Sequence, residues 1–232
     1  MPDAAKECIS SWKKYFPDYE VKEWNEGNFD IHCCKYVEKA YEQKKWAFVS
    51  DYARFWILYN YGGLYFDTDV EVIKNFQRLI DKGPFMGCEE AGNNIFSVAP
   101  GLGLAANPGL GLYKEILNYY ENIVFDFKEG NVETVVTHTT QILKENGFKG
   151  IGDIEYIDGI YIYPPEYFCP MNQFTGKITI TNNTCSIHHY TASWQNGYSR
   201  FKAKLQKILG ANVTNKIIII KRKMKQILRE QP

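Results

Sequence analysis

The chain has 232 residues, of which 45% are apolar, 23% charged and 16% aromatic. That is enough apolar material for one large core and too many aromatics for a chain that stays disordered. No run of about 20 apolar residues occurs, which excludes a membrane-spanning helix. The first 30 residues lack the apolar stretch of a secretory signal, so the expectation is a cytosolic or cytosol-facing protein. The 27 basic and 27 acidic residues cancel, but unevenly. From Arg200 onward ten basic residues accompany one acidic residue, Glu230, leaving 17 basic and 26 acidic in residues 1–199. An acidic body with a basic tail confines any attraction to a membrane or polyanion to the tail.

In chain order, residues 3–15 carry apolar side chains at helical spacing (Ala5, Cys8, Ile9, Trp12) before Pro17. Residues 19–24 alternate apolar with charged and predict a strand. Residues 31–44 and 47–61 predict helices, the second ended by Gly62 and Gly63. Residues 64–66 predict a short buried strand, and Val70 and Val72 around Glu71 another extended piece. Further strands are expected at 85–88, 95–99, 154–157, 160–163 and 186–190, and helices at 108–125 and 132–146. This alternation argues for an α/β fold with a mixed sheet flanked by helices. Residues 1–199 are expected to form the main domain and 200–232 a tail of two short helices broken at Gly210. In that tail Ile217, Ile220, Met224 and Ile227 form one stripe beside Lys216, Lys221, Arg222, Lys223 and Lys225. Such a helix fits an anionic membrane surface. It fits nucleic acid poorly, because no aromatics interleave the charges. The six cysteines (8, 33, 34, 88, 169 and 185) hold no CxxC pair, so reduced and mostly buried thiols are expected rather than a zinc or disulfide framework.

The stretch from Ser50 to Val72 is the richest in chemistry. Asp51 and Arg54 lie three apart in an otherwise apolar helix, so they share a face and each needs a partner or a ligand. Asp67 and Asp69 follow an apolar strand at its carboxyl end, where open sheets bind ligands. With one residue between them they would face the same side, and two converging carboxylates call for a cation such as Mg²⁺ or Mn²⁺. An EF-hand loop starting at Asp67 would want Gly at position 72, which is Val72. A haloacid-dehalogenase-type phosphatase would use Asp67 as nucleophile, but its usual Thr or Val four residues on is Glu71 here.

Ser50-Asp51, Arg54, Gly62-Gly63, Tyr65 and Asp67-Thr68-Asp69 resemble the signature of glycosyltransferases with a DXD sugar-binding region. That family includes Golgi α-mannosyltransferases and bacterial capsular-polysaccharide transferases. The stretch from Tyr163 to Pro170 and the run Ser186-Ile187-His188-His189-Tyr190-Thr191-Ala192-Ser193-Trp194 resemble its bacterial members. The resemblance implies a GT-A-like nucleotide-sugar-binding sheet and a metal-dependent, retaining transfer of a hexose from a UDP- or GDP-sugar. The acceptor would be a surface glycan or lipid-linked oligosaccharide at the inner face of a membrane. It implies Asp51, Arg54, Asp67 and Asp69 as catalytic residues. Asp51, Arg54, Gly62, Gly63, Tyr65, Ser193 and Trp194 would contact substrate, and Asp67, Asp69 and His188 (rather than His189) would bind Mn²⁺ or Mg²⁺. Glu89 and Glu90, after the strand at 85–88, are further candidates near the anomeric carbon, while His138 reads as a helix residue. Members of the family open with an apolar strand ahead of the helix matching residues 3–15. This chain starts at Met1-Pro2-Asp3, so a sheet short of its first strand is expected. The alternative is a non-catalytic remnant that binds a membrane or a partner through its tail.

Overall fold

The computed structural model describes residues 1–92, 95–127, 133–172 and 175–190. The predicted tail, Ser193 and Trp194 lie outside the described residues. The described residues within 1–170 and 179–189 form one compact unit, and those within 171–178, with Tyr190, belong to a second.

In the first unit, helix α1 (Asp3–Tyr15) opens with an acidic residue and closes with Lys13 and Lys14, a charge order that suits the helix dipole. Its Trp12 Nε1 donates to the Val70 carbonyl at 2.8 Å and its Ser11 Oγ accepts from the Val72 N–H at 2.9 Å. Residues 19–24, predicted as a strand, join no ladder among the described residues. Of its apolar residues Tyr19 and Val21 are exposed, and Trp24 packs against Trp56 and Tyr61 at the edge of the core. The helix predicted from residue 31 starts only at Lys35. The Asp30 carboxylate takes the His32 N–H at 2.9 Å and the Asp30 carbonyl the Cys33 N–H, a local turn that competes with helix.

Helix α2 (Lys35–Glu42) and helix α3 (Trp46–Tyr61) pack together. Phe48, Tyr52, Phe55 and Leu58 of α3 fall three to four residues apart and are buried. They meet helix α5 (Gly111–Asn122), with Phe55 and Tyr113 ring centroids 5.1 Å apart. Burying each such side chain contributes about 1.5–3 kcal/mol. Helix α3 stops at Gly62, whose φ of 68° is left-handed.

The strands that follow are β1 (Gly63–Tyr65), β2 (Val70–Val72), β3 (Phe85–Gly92), β4 (Ile95–Val98), β5 (Leu104–Ala106), β6 (Glu155–Ile157), β7 (Ile160–Tyr163) and β8 (Ser186–His188). The main sheet runs β1-β5-β3-β7-β6, with β4 also on β3, and is mixed: only β3 and β7 are parallel. Strand β3 serves two partners on one edge, β5 at Phe85 and Met86 and β4 from Cys88 to Gly92. Glu89 and Glu90, expected in a loop after that strand, are therefore ladder residues opposite Ser97 and Phe96. Strand β1 is half-exposed, not buried as expected, and ends at Tyr65 rather than Phe66.

Strands β2 and β8 form a separate antiparallel pair. Helix α6 (Val135–Glu145) holds His138, buried and bonded to Tyr119 Oη at 2.9 Å. Three elements escaped the sequence reading: α4 (Gln77–Ile80), α7 (Pro165–Phe168) and β5. The two helices are single turns, too short for a 3.6-residue period, and Leu-Ala-Ala in β5 carries no β-branched signal. None of the six cysteines is in a disulfide, with Cys33 and Cys34 half-buried and the others buried. In the second unit, Met171 and Ile178 form an antiparallel bridge.

Candidate functional site

The site is assembled where α3, the turn after β1 and the end of β8 meet. Helix α3 delivers Asp51 and Arg54 on one face, and both are buried, with side chains 8% and 3% exposed. Arg54 Nη2 donates to Asp51 Oδ1 at 2.9 Å and to Ser50 Oγ at 3.2 Å, and Nε donates to the Ser50 carbonyl at 3.0 Å. The same guanidinium lies 3.4 Å from Asp67 Oδ1 and stacks over the Tyr65 ring, 4.8 Å from its centroid. Tyr65 Oη donates to Asp67 Oδ1 at 2.8 Å. Arg54 is thus shared between two carboxylates that would otherwise repel.

Burial alone would push the Arg54 guanidinium down, but Asp67, Tyr65 and Asp51 together hold it up, so it stays charged. Burial pushes the Asp51 carboxyl up to about 7, against the pull of Arg54 and of the Val135 N–H and with the push of Asp67. Burial also pushes the Tyr65 phenol up, which keeps its proton in place as the donor to Asp67. One guanidinium faces the Asp51 and Asp67 carboxylates, and Asp69 adds a third carboxylate close by, so the region is short of positive charge.

Asp67, Thr68 and Asp69 do not continue the strand, as the alternation argument assumed. They form a turn closed by the Val70 N–H on the Asp67 carbonyl at 3.0 Å. The two carboxylates nevertheless converge, because the turn rather than the pleat brings them together. The β2–β8 register then places His188 opposite Val70, one step from Asp69. His188 Nε2 lies 3.2 Å from Asp69 Oδ1. One ligand atom each from Asp67, Asp69 and His188 falls within 4.8 Å of the others. The neighbouring His189 donates its N–H to the Asp69 carbonyl at 3.0 Å and turns its ring to Glu71, 2.9 Å away. Of the two histidines only His188 reaches the carboxylates.

Burial would push the His188 imidazole down, but the hydrogen bond and charge of Asp69, with help from Cys169, hold it up at about 10. A proton on His188 therefore supplies part of the positive charge that this corner lacks. The donor set fits a divalent ion in kind: two carboxylate oxygens and one imidazole nitrogen lie within 4.8 Å of one another and remain partly open, with Asp67 33% and His188 15% exposed. A mixed oxygen and nitrogen set suits Mn²⁺ better than Mg²⁺, which prefers all-oxygen surroundings.

A second feature points to a ligand. Arg54 Nη1 is buried and has no hydrogen-bond partner among the described residues. An unpaired buried donor is costly, and a ligand oxygen would relieve it. Beside it opens a groove of about 790 Å³ lined by Trp12, Trp24, Tyr61 and Phe66 and reaching Ser50, Arg54, Tyr65 and Thr68. Gly63, at φ 101°, has nothing within 4 Å of where a side chain would stand. At Gly62 a Cβ would meet Pro108 Cδ at 2.7 Å and the Ala106 carbonyl at 2.9 Å. Gly62 thus also serves the packing of α3 on β5. His138, Glu89 and Glu90 lie in elements outside this cluster.

Two contributors were not foreseen. Cys169, just after α7, helps hold the His188 imidazole up, and Gly101 backs Asp67. Pro100-Gly101 reads in sequence only as a turn.

These features make a candidate divalent-cation site beside a buried arginine on a mixed α/β scaffold. Residues 2–86 match the family model described as "glycosyltransferase sugar-binding region containing DXD motif". The matched span includes Asp51, Arg54, Tyr65, Asp67 and Asp69, while His188, Cys169 and Gly101 lie beyond it. No curated protein and no solved structure matches the chain. No helix among the described residues is long and apolar enough to cross a membrane.

Proposed function

We propose that the chain is a metal-dependent, retaining glycosyltransferase that moves a hexose from a UDP- or GDP-sugar to a surface-glycan acceptor of the capsule or lipopolysaccharide type. The observation that carries this reading is the convergence of Asp67, Asp69 and His188 beside a buried Arg54 with one unpaired N–H. Asp67, Asp69 and His188 would hold Mn²⁺ or Mg²⁺. When bound, the divalent ion neutralises the charge that develops on the departing diphosphate.

Every other role falls to the chain itself. Arg54 is held by Asp51 and Ser50, so its free Nη1 is pre-aimed to donate to an oxygen of the donor. Tyr65 fixes one Asp67 oxygen, leaving the other for the metal or a ribose hydroxyl. The carboxylates also favour an oxocarbenium-like sugar in the transition state. The aromatic groove has the volume of a small-molecule site and would take the nucleoside, with Gly63 allowing close approach. Ser193 and Trp194 would close over the nucleotide, and the basic tail would bring the enzyme to an anionic membrane. Deleting residues 211–232 should release the protein from anionic vesicles; undiminished binding would refute that role.

The test of the whole reading is a thermal-shift titration with UDP, GDP and their sugars, with and without Mn²⁺. Stabilisation that requires both the metal and one nucleotide is expected, about 2.7 kcal/mol at a hundredfold excess over Kd. A cooperative melt that no nucleotide moves would contradict the reading and favour a non-catalytic binding module.

A further inference from the structure

We propose that Gly101 is a positioning residue for Asp67, the backbone wall on which that carboxylate rests, so that nothing larger than hydrogen is compatible with an ordered site at this position. The metal arm of this proposal rests on the reading of Asp67 as a ligand.

The turn between β4 and β5 passes directly behind the turn that carries Asp67. The Asp67 N–H donates to the Gly101 carbonyl at 2.9 Å, which fixes the Asp67 backbone on the Gly101 peptide. The Asp67 side chain then lies back over the same residue. A Cβ built on Gly101 would stand 2.0 Å from Asp67 Oδ2 and 2.8 Å from its Cγ. Both distances are far inside van der Waals contact. The clash cannot be relieved by a small rotation, because Asp67 Oδ1 is pinned on its other side by Tyr65 Oη at 2.8 Å and by Arg54 Nη2 at 3.4 Å. An added methyl group must therefore break the Tyr65 and Arg54 contacts or push the two turns apart. The same Cβ would come within 3.5 Å of Arg54 Nη1, the buried donor left open toward a ligand.

The requirement for glycine here is not one of backbone conformation. Gly103, two residues on, has φ 154°, and Gly62 has φ 68°, whereas Gly101 is absent from the left-handed region. Gly101 has no positive φ, so the contact that opposes a side chain there is the one with the Asp67 carboxylate. If that is so, removing the carboxylate must remove the prohibition.

A double-mutant cycle reads this directly. Gly101→Ala, Asp67→Ala and the double variant are compared with the wild-type chain by urea unfolding in the absence of metal and by Mn²⁺ affinity from electron paramagnetic resonance. The metal-free arm is expected to show Gly101→Ala lowering the unfolding midpoint in the wild-type background and leaving it almost unmoved in the Asp67→Ala background. In the metal arm Gly101→Ala should weaken Mn²⁺ binding about 10–100-fold, the range seen when a group that orients a metal ligand is lost. It should add nothing once Asp67 is gone. If Gly101→Ala destabilises both backgrounds equally, or folds in neither, the residue serves only its own turn and the proposal is overturned. If it leaves both stability and Mn²⁺ binding intact in the wild-type background, the proposal is equally overturned. Should the wild-type chain bind no Mn²⁺, the metal reading of the site fails, while the metal-free arm still decides whether Gly101 positions Asp67.

Discussion

The two ends of the site are built on opposite plans. At the Arg54 end, Asp51, Ser50, Tyr65 and Asp67 enclose one guanidinium in a buried, nearly saturated network. At the His188 end, Asp69 and an imidazole face each other half-buried, with the histidine held protonated by its partner's charge. The first end is set by folding itself, because a buried ion left without its partners costs more than the fold can tolerate. The second end is complete only with a positive charge in it, either a proton or a metal. A site with one fixed and one adjustable half can hold a donor in register while it admits and releases a cation.

The largest expected effect comes from breaking the fixed half. Arg54→Met leaves the buried Asp51 and the one-third-exposed Asp67 side by side without their cation and should cost about 3–5 kcal/mol of unfolding free energy in a urea titration. Arg54→Lys should recover only part, since an ammonium cannot reach Ser50, Asp51 and Asp67 together. A loss of under about 1 kcal/mol in Arg54→Met would mean that the network is not what holds this end together.

Substitutions in the adjustable half should separate stability from binding. His188→Ala is expected to weaken Mn²⁺ affinity about tenfold or more. His189→Ala removes only a surface pair with Glu71, with side chains 35% and 43% exposed, worth about 0–1 kcal/mol, and should leave Mn²⁺ affinity unchanged. Equal losses of affinity from both would contradict the assignment of His188.

The smallest effect is a control outside the site. Burial holds the His138 imidazole down despite Glu133 nearby, so the folded state keeps it neutral where the unfolded chain takes up a proton. The stability it contributes is present above about pH 6.5 and is lost as pH falls below that value. His138→Phe should flatten this acid-side slope without changing metal binding. An unchanged slope would place the acid sensitivity elsewhere.

The fixed half was the more legible in sequence. Asp51 and Arg54 at a spacing of three in an apolar helix had to share a face, and the pair forms there as an ion pair. Helix α1 and the start of β3 were also readable, because periodicity and flanking Pro or Gly punctuate them. What escaped depends on chain segments distant in sequence. The strand expected at residues 19–24 has the right alternation but no ladder partner among the described residues, and a strand exists only as half of a pair. Convergence of Asp67 and Asp69 was expected for the wrong reason, since a turn does what the pleat was supposed to do. Gly101 and Cys169 carry no local mark at all, because their meaning comes only from lying behind Asp67 and His188 once β5 and β8 are in place. The tail, with Ser193 and Trp194, lies outside the described residues.

The central claim is that Asp69 belongs to a cation site that serves a nucleotide. The most direct measurement is Mn²⁺ binding by electron paramagnetic resonance to wild-type and Asp69→Ala protein, each with and without UDP or GDP. The account predicts one tight site in the wild-type chain that tightens with a single nucleotide. Asp69→Ala should lose it at least a hundredfold while still unfolding cooperatively near the wild-type midpoint. Equal Mn²⁺ binding by the two proteins, or a wild-type affinity indifferent to every nucleotide, would contradict the account.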